Sequence, residues 1–161
     1  MGGRGASSGV KRSLPLDNNA KSGIINKDET RTAVNDVKYI GKIDIEIYKC
    51  VTEDIQTDEV IITETQIAHI QERHPGVYEK YGIYFGEMVS SPDYILEANK
   101  PNTALVLKQV PVENGYTKMV LRLRTSVDDP SYKNSVITFV EIDENTWNRL
   151  LRNKKVLYKH E

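Results

Sequence analysis

TALVLKQVPVENGYTKMVLRLRT, residues 103–125, decides the fold class. Two runs rich in branched and aromatic side chains, Thr103 to Val110 and Tyr116 to Thr125, flank the dipeptide Asn114-Gly115. Asn-Gly favours the positive φ angles of a tight hairpin turn, so the stretch predicts two antiparallel strands. In the second run a period of two puts Lys118, Val120, Arg122 and Arg124 on one side and Met119, Leu121 and Leu123 on the other. Two guanidinium groups in line on a sheet suit a phosphate, because each can grip two of its oxygens. An ordinary solvated face carries the same pattern.

Lys108 stands in an otherwise apolar run, and the hairpin register decides what it faces. A two-residue Asn114-Gly115 turn sets Lys108 opposite Leu121, on the apolar side. A three-residue loop, Glu113 to Gly115, sets it opposite Val120, on the arginine side. One residue of slip exchanges the two faces. Pro111, close to the turn, makes an irregular register plausible and favours the second arrangement.

Similar segments continue on both sides of the hairpin. Tyr94 to Ala98 and Ser135 to Ile142 read as strands, and Val156 to Tyr158 as a closing one. Two short alternating runs, Val37 to Ile43 and Asp44 to Val51, read as strands or one bent strand, and Glu59 to Thr63 as another. A helix capped by Thr63 or Thr65 carries Ile67 and Ile70 and ends near Arg73, ahead of Pro75. A second helical stretch runs from about Val77 to Val89. Asp143 or Asn145 caps a last helix bearing Trp147, Leu150 and Leu151. Hairpin-joined strands with helices at both ends predict an α+β domain: N-terminal helices on a four- or five-stranded antiparallel sheet, with a C-terminal helix.

The expected organisation is a flexible tail or linker over residues 1–36 and one domain over 37–161. The first nine residues, MGGRGASSG, are Gly/Ser-rich, and the apolar residues up to Asp36 show no period. Linker, fusion remnant and docking arm all fit that composition. A folded part of about 125 residues buries roughly two-thirds of its unfolded surface, so it needs no disulfide or metal. One cysteine, Cys50, fits a reducing compartment. No run reaches the ~20 apolar residues of a membrane span, and the N-terminus lacks the apolar segment of a signal peptide. The formal net charge is −1, but it is unevenly spread: +2 over residues 1–36, −7 over 37–99 and +4 over 100–161. The basic C-terminal part hints at an anionic partner.

No phosphate-binding glycine loop, dinucleotide fingerprint, CxxC pair or hydrolase elbow is present. Three histidines and one cysteine lack zinc-site spacing. Catalysis, if any, therefore falls to His, Lys, Arg and hydroxyl groups. His69 and His74 lie near the end of the first helix in His69-Ile-Gln-Glu72-Arg73-His74-Pro75. A helix C-terminus stabilises imidazolium, which suits a general acid or a phosphate ligand, and equally a plain helix-end cap. Asn134, Ser135 and Thr138, with Thr125 and Ser126, gather short polar groups where two strands end and begin. Such groups orient a phosphate or base edge, and are also ordinary turn residues.

Taken in order, the segments Ile67-Ala-His-Ile-x-x-Arg73-His74-Pro75, Ser91-Pro92-Asp93-Tyr-Ile95, Leu105-x-Leu-Lys108, Arg122-x-Arg-Thr125, Asn134-Ser-Val-Ile-Thr138 and Trp147-x-x-x-Leu-Arg-Asn153-x-Lys-x-Leu-Tyr158 resemble a known group. It is the phage-associated nuclease domains grouped with barnase, EndoU, colicin tRNases and RelE, found in phage head-morphogenesis proteins and toxin tips. The resemblance covers roughly residues 60–161. It implies a cofactor-free, metal-independent endoribonuclease that cleaves RNA, tRNA included, by 2′-hydroxyl transesterification. It implies His74 as acid–base group with His69 as a second, Lys108 and Arg122 as phosphate clamp, and Thr138 as the group orienting the phosphate. Arg73, Arg124, Thr125, Asn134 and Ser135 would hold neighbouring RNA. Implied partners are RNA, an immunity protein or antitoxin, and phage head proteins, with no membrane. The implied location is the cytoplasm, or a virion that delivers the protein to a bacterial cytoplasm. A non-catalytic phage head structural or docking module and a small nucleic-acid-binding regulator are the alternatives.

Overall fold

The computed structural model describes residues 36–113 and 115–161. Apart from Asp36, the expected tail lies outside the described residues. The elements run β1 (Val37–Lys42), α1 (Ile45–Tyr48), β2 (Glu59–Thr63), α2 (Glu64–Arg73), α3 (Val77–Tyr81), a 3-10 turn (Gly82–Tyr84), α4 (Phe85–Ser90), β3 (Tyr94–Glu97), β4 (Thr103–Gln109), β5 (Tyr116–Arg122), β6 (Asn134–Glu141), α5 (Glu144–Asn153) and β7 (Val156–Lys159). The strands form one seven-stranded sheet in the order β1-β2-β6-β5-β4-β3-β7.

The α+β class holds, with four corrections. The sheet is larger than the four or five strands expected. It is also mixed, because β2 and β6 pair in parallel, Val60 with Asn134 and Ile61 with Ser135. The second alternating run is a short helix, not a strand. Asp44 caps it by accepting from the Glu46 N–H at 3.0 Å, and the turn buries Tyr48, whose hydroxyl donates to the Val89 carbonyl at 2.8 Å. The long helix expected over Val77 to Val89 breaks into α3, the 3-10 turn and α4. The expected caps at Thr63 and Asp143 form, each side chain accepting from the N–H three residues on.

The two faces of the sheet bury different things. On one, Ile67 and Ile70 of α2, Tyr81 of α3 and Phe85, Met88 and Val89 of α4 pack against Val60, Ile62, Ala104, Val106, Met119, Leu121, Val136 and Phe139. The Phe139 ring centre lies 4.6 Å from that of Phe85 and 5.6 Å from that of Tyr81. Burial pushes the Tyr81 hydroxyl up to about 12, and it donates to Glu141, which also meets Lys80 at 3.4 Å. On the other face, Trp147, Leu150 and Leu151 of α5 cover Leu105, Leu107, Val120 and Val140. Trp147 stacks edgewise against Tyr94 and tilts over Tyr116, 5.1 Å between ring centres. Beyond Val120 and Val140 this cluster takes in no residue of β5 or β6 toward Arg122 and Ser135, and Ile137 and Thr138 are exposed there.

The hairpin register follows neither expected arrangement. Lys108 pairs with Thr117, and the last pair is Gln109 with Tyr116, so residues 110–115 form the connection. The Val110 N–H donates to the Gly115 carbonyl at 2.9 Å, while Pro111 has no N–H to continue the ladder. Gly115 has φ +70, and a Cβ there would stand 2.1 Å from the Val110 oxygen. Glycine is required at that position. The longer connection moves Lys108 three residues from the preferred partner, an odd number, and so onto the opposite face.

Candidate nucleic-acid interface

Arg122 ends β5 on the same side as Val120, the side that α5 partly covers, and its strand partner is Ser135. Thr138 faces the same way, opposite Val120, and is exposed. A register shift between Val120 and Leu121 adds one residue to β6, so Ile137 is also exposed there while Val136 and Phe139 stay buried on the other side. Lys118 completes the row along β5, beside Val140.

The loop after β5 is fastened to this row by carboxylates. Asp128 holds the Arg122 guanidinium at 3.0 Å and accepts from both the N–H and the hydroxyl of Thr125, at 2.8 and 3.2 Å. Those hydrogen bonds, with Arg122 beside them, hold the Asp128 carboxyl below the ordinary carboxylate range. Arg122 also donates to the Leu123 carbonyl. Asp54 accepts from the Ser126 N–H and hydroxyl at 3.1 and 2.6 Å, and Asp129 does the same for Ser131 at 2.8 and 2.7 Å. Asn134 is fully buried and ties the loop's return: its Oδ1 accepts from the Arg124 N–H and its Nδ2 donates to the Thr57 carbonyl, both at 2.8 Å. Among the described residues, Arg124 Nε is buried without a hydrogen-bond partner.

The structure thus brings Arg122, Arg124, Thr125, Asn134, Ser135 and Thr138 to one end of the β5–β6 pair. Thr125 and Asn134 are buried there and serve as braces. The remaining expected residues lie elsewhere. His69 and Arg73 are exposed on α2, and His74 ends that helix, its N–H donating to Ile70 at 2.8 Å. All three belong to the helical layer. Lys108 shares the face of Ala104 and Val106, where its ammonium meets the Ser91 carbonyl at 2.7 Å, Asp93 at 3.5 Å and Glu87 at 3.8 Å. A single pocket holding His74, Lys108 and Arg122 is therefore not formed, because the sheet lies between Lys108 and Arg122.

Reasoning from sequence missed Asp128, whose Asp128-Asp129-Pro130 context reads only as a strand end. In the Thr-x-x-acid spacing of a capping box the acidic side chain reaches back to the N–H three residues earlier, as Asp128 does to Thr125, and that spacing was the available signal. Among the described residues, no three His, Cys, Asp or Glu side chains stand close enough to hold a metal ion. No helix among them is long and apolar enough to cross a membrane.

A family model described as phage-Barnase-EndoU-ColicinE5/D-RelE like nuclease2 matches residues 35–159, which spans every element of the sheet. No curated protein and no solved structure matches the chain. The match extends past the segments that carried the resemblance, taking in β1 and α1 as well. The chain belongs to the phage-Barnase-EndoU-ColicinE5/D-RelE like nuclease 2 family.

Proposed function

We propose that this nuclease is a metal-independent endoribonuclease, a phage-borne toxin domain that holds an RNA phosphate on the half of the sheet beyond α5. The observation that carries the reading is that Arg122 and its strand partner Ser135, both half-buried, share a face with the exposed Thr138 opposite Val120, which puts one guanidinium and two hydroxyls on the same side. In the reaction the ribose 2′-oxygen bonds to phosphorus and loses its proton to a base. The bond from phosphorus to the 5′-oxygen breaks, and that oxygen takes up a proton. The products are a 2′,3′-cyclic phosphate and a free 5′-hydroxyl. Negative charge grows on the phosphoryl oxygens meanwhile, and a fixed guanidinium stabilises it more than the ground state. Ser135 and Thr138 donate hydrogen bonds that orient the same group. The acidic residues 37–99 disfavour RNA elsewhere on the surface, which favours a folded, particular target such as tRNA over general degradation.

The test incubates the full chain with total RNA in EDTA. The expected result is cleavage leaving 2′,3′-cyclic ends, lost in Arg122→Ala and reduced in Thr138→Ala. Loss in His74→Ala and Lys108→Ala with Arg122→Ala fully active would move the site to the helical side and overturn the assignment. No cleavage, with co-assembly onto phage head proteins or with salt-sensitive RNA binding alone, would support the structural-module or regulator reading instead.

A further inference from the structure

We infer that the outer surface of α5 and the adjoining strand β7 form a second RNA-binding surface, separate from the cleavage site, which grips the phosphate backbone of a folded RNA. The inference rests on the cleavage site proposed above and adds the part of the protein that holds the rest of the substrate. Residues 149–160 carry Arg149, Arg152, Lys154, Lys155 and Lys159 and no carboxylate, a formal charge of +5. The remainder of residues 100–161 sums to −1, so this segment supplies the whole basic excess of the C-terminal part. Arg149, Arg152, Lys155 and Lys159 are exposed. Other cations are engaged within the protein: Lys49, Lys80, Lys108, Arg122 and Lys133 each hold a carboxylate, at 2.6 to 3.5 Å. Among the described residues, no carboxylate holds Arg152, Lys155 or Lys159 in this way. Asp143 and Glu144 lie at the opposite end of α5 from Arg152.

Trp147, Leu150 and Leu151 press α5 onto the sheet, so helical spacing puts Arg149 and Arg152 on the outward ridge, with about 5–6 Å between their Cβ atoms. The Lys154 ammonium donates to the Asn99 side chain at 2.8 Å, and the Lys155 carbonyl accepts from the Glu97 N–H at 2.9 Å, which carries the chain to the sheet edge. There Lys159 pairs with Tyr94, whose ring meets Trp147 edgewise, so Lys159 lies on the α5 side as well. On that same side Val120, which α5 covers, stands one same-face position, about 7 Å, before Arg122. The cations thus share one side of the sheet with the proposed cleavage site, and the sheet separates them from α2 to α4, which belong to the −7 segment 37–99. A protein partner needs an apolar centre to the interface. Between Arg149 and Lys159 the exposed large apolar side chain is Val156 alone, at 41%. Spread cations without an apolar centre suit a phosphate backbone, which is gripped by charge and not by sequence.

The test uses the full chain in EDTA and a fluorescein-labelled RNA hairpin with 2′-O-methyl sugars, which lacks the attacking hydroxyl. Binding is read by anisotropy across about 50 to 200 mM salt. Arg149→Gln/Arg152→Gln should bind about tenfold more weakly at the low-salt end and lower the slope of log affinity against log salt by about 1.4–1.8, because two phosphate contacts and their released counterions are lost. Lys38→Gln/Lys49→Gln removes the same charge from β1 and the end of α1, and should keep the parent's affinity and slope. Unchanged melting temperatures would verify that these exposed substitutions leave the fold intact. Equal losses in the two double variants would mean that net charge alone acts, and would overturn the assignment. An Arg149→Gln/Arg152→Gln protein that binds as the parent does would overturn it too, and loss of cleavage in Arg122→Ala would then leave the cleavage site standing alone. If the arginine pair weakens binding while Arg122→Ala cleaves normally, the second surface stands and the cleavage site is misplaced. A parent that ignores the hairpin but binds poly-L-glutamate would make the partner an acidic protein and overturn the proposal.

Discussion

Lys108 and Arg122 are two cations on adjacent strands of one sheet, and the two faces use them differently. On the face beneath α2 to α4, Lys108 is 13% exposed and is enclosed by the Ser91 carbonyl and the carboxylates of Asp93 and Glu87. On the other, Arg122 is 36% exposed with Asp128 as its carboxylate partner and one backbone carbonyl. A guanidinium has five N–H donors, so those contacts leave donors for an incoming phosphate. The lesson is that a cation's role follows from what surrounds it. Lys108 latches α4 and β3 to β4, and Arg122 stands open to a ligand.

The largest effect that would test this contrast separates neighbours in β6. Phe139→Ala, under the helices, should cost about 3–5 kcal/mol of stability by chemical denaturation. Thr138→Ala, one residue earlier on the exposed side, should stay within about 0.5 kcal/mol while lowering RNA cleavage. Equal stability losses would mean that the far face is as closed as the near one. Next in size is the pair of cations. Arg122→Ala should lower RNA cleavage about 10²- to 10³-fold with a modest change in melting temperature. Lys108→Ala should cost about 1–2 kcal/mol of stability and leave cleavage within a fewfold below its melting transition. A reversal of those two signatures would exchange the roles given to the two faces.

The smallest effect is one of pH. The Asp128 carboxyl titrates lower in the folded chain than in the unfolded one, held first by the Thr125 N–H and then by Arg122. A depressed carboxylate stabilises the fold above its unfolded pKa, and that contribution disappears as pH falls through the folded value. Melting temperature should therefore be flat near neutrality and fall below about pH 4, less steeply in Asp128→Asn than in the parent. A parallel fall in both proteins would remove Asp128 from the fastening of the loop.

Local chemistry made much of the fold legible. Thr63 and Asp143 cap the helices expected of them because a side-chain oxygen can satisfy a free N–H wherever its backbone is extended. The β4–β5 hairpin and the strands on either side follow from short runs of branched residues between turn residues. The stretch around Asp44 was not legible, since a few alternating isoleucines fit a turn of helix as well as a strand. The parallel pairing of β2 with β6 joins segments about seventy residues apart, and no local pattern marks such a partner. Near the candidate site, strand alternation placed Arg122 on the side of Lys118 and Val120, whereas Ser135 and Thr138 were grouped with it only by their position at strand ends and by the resemblance. The expected convergence with Lys108 and His74 was not realised, because the connection over 110–115 is longer than the Asn114-Gly115 signal implies.

By itself, then, the amino-acid order determined the α+β class, the helix caps, the hairpin and the family resemblance, all of which depend on near neighbours in the chain or on the order of short motifs. Only the tertiary structure decided which face each strand residue occupies, which cation is enclosed and how much of the sheet α5 leaves uncovered. The reason is geometric. Side chains in a strand alternate with a period of two, so a shift of an odd number of residues, set by a loop's path and by packing from distant segments, exchanges the inside with the outside.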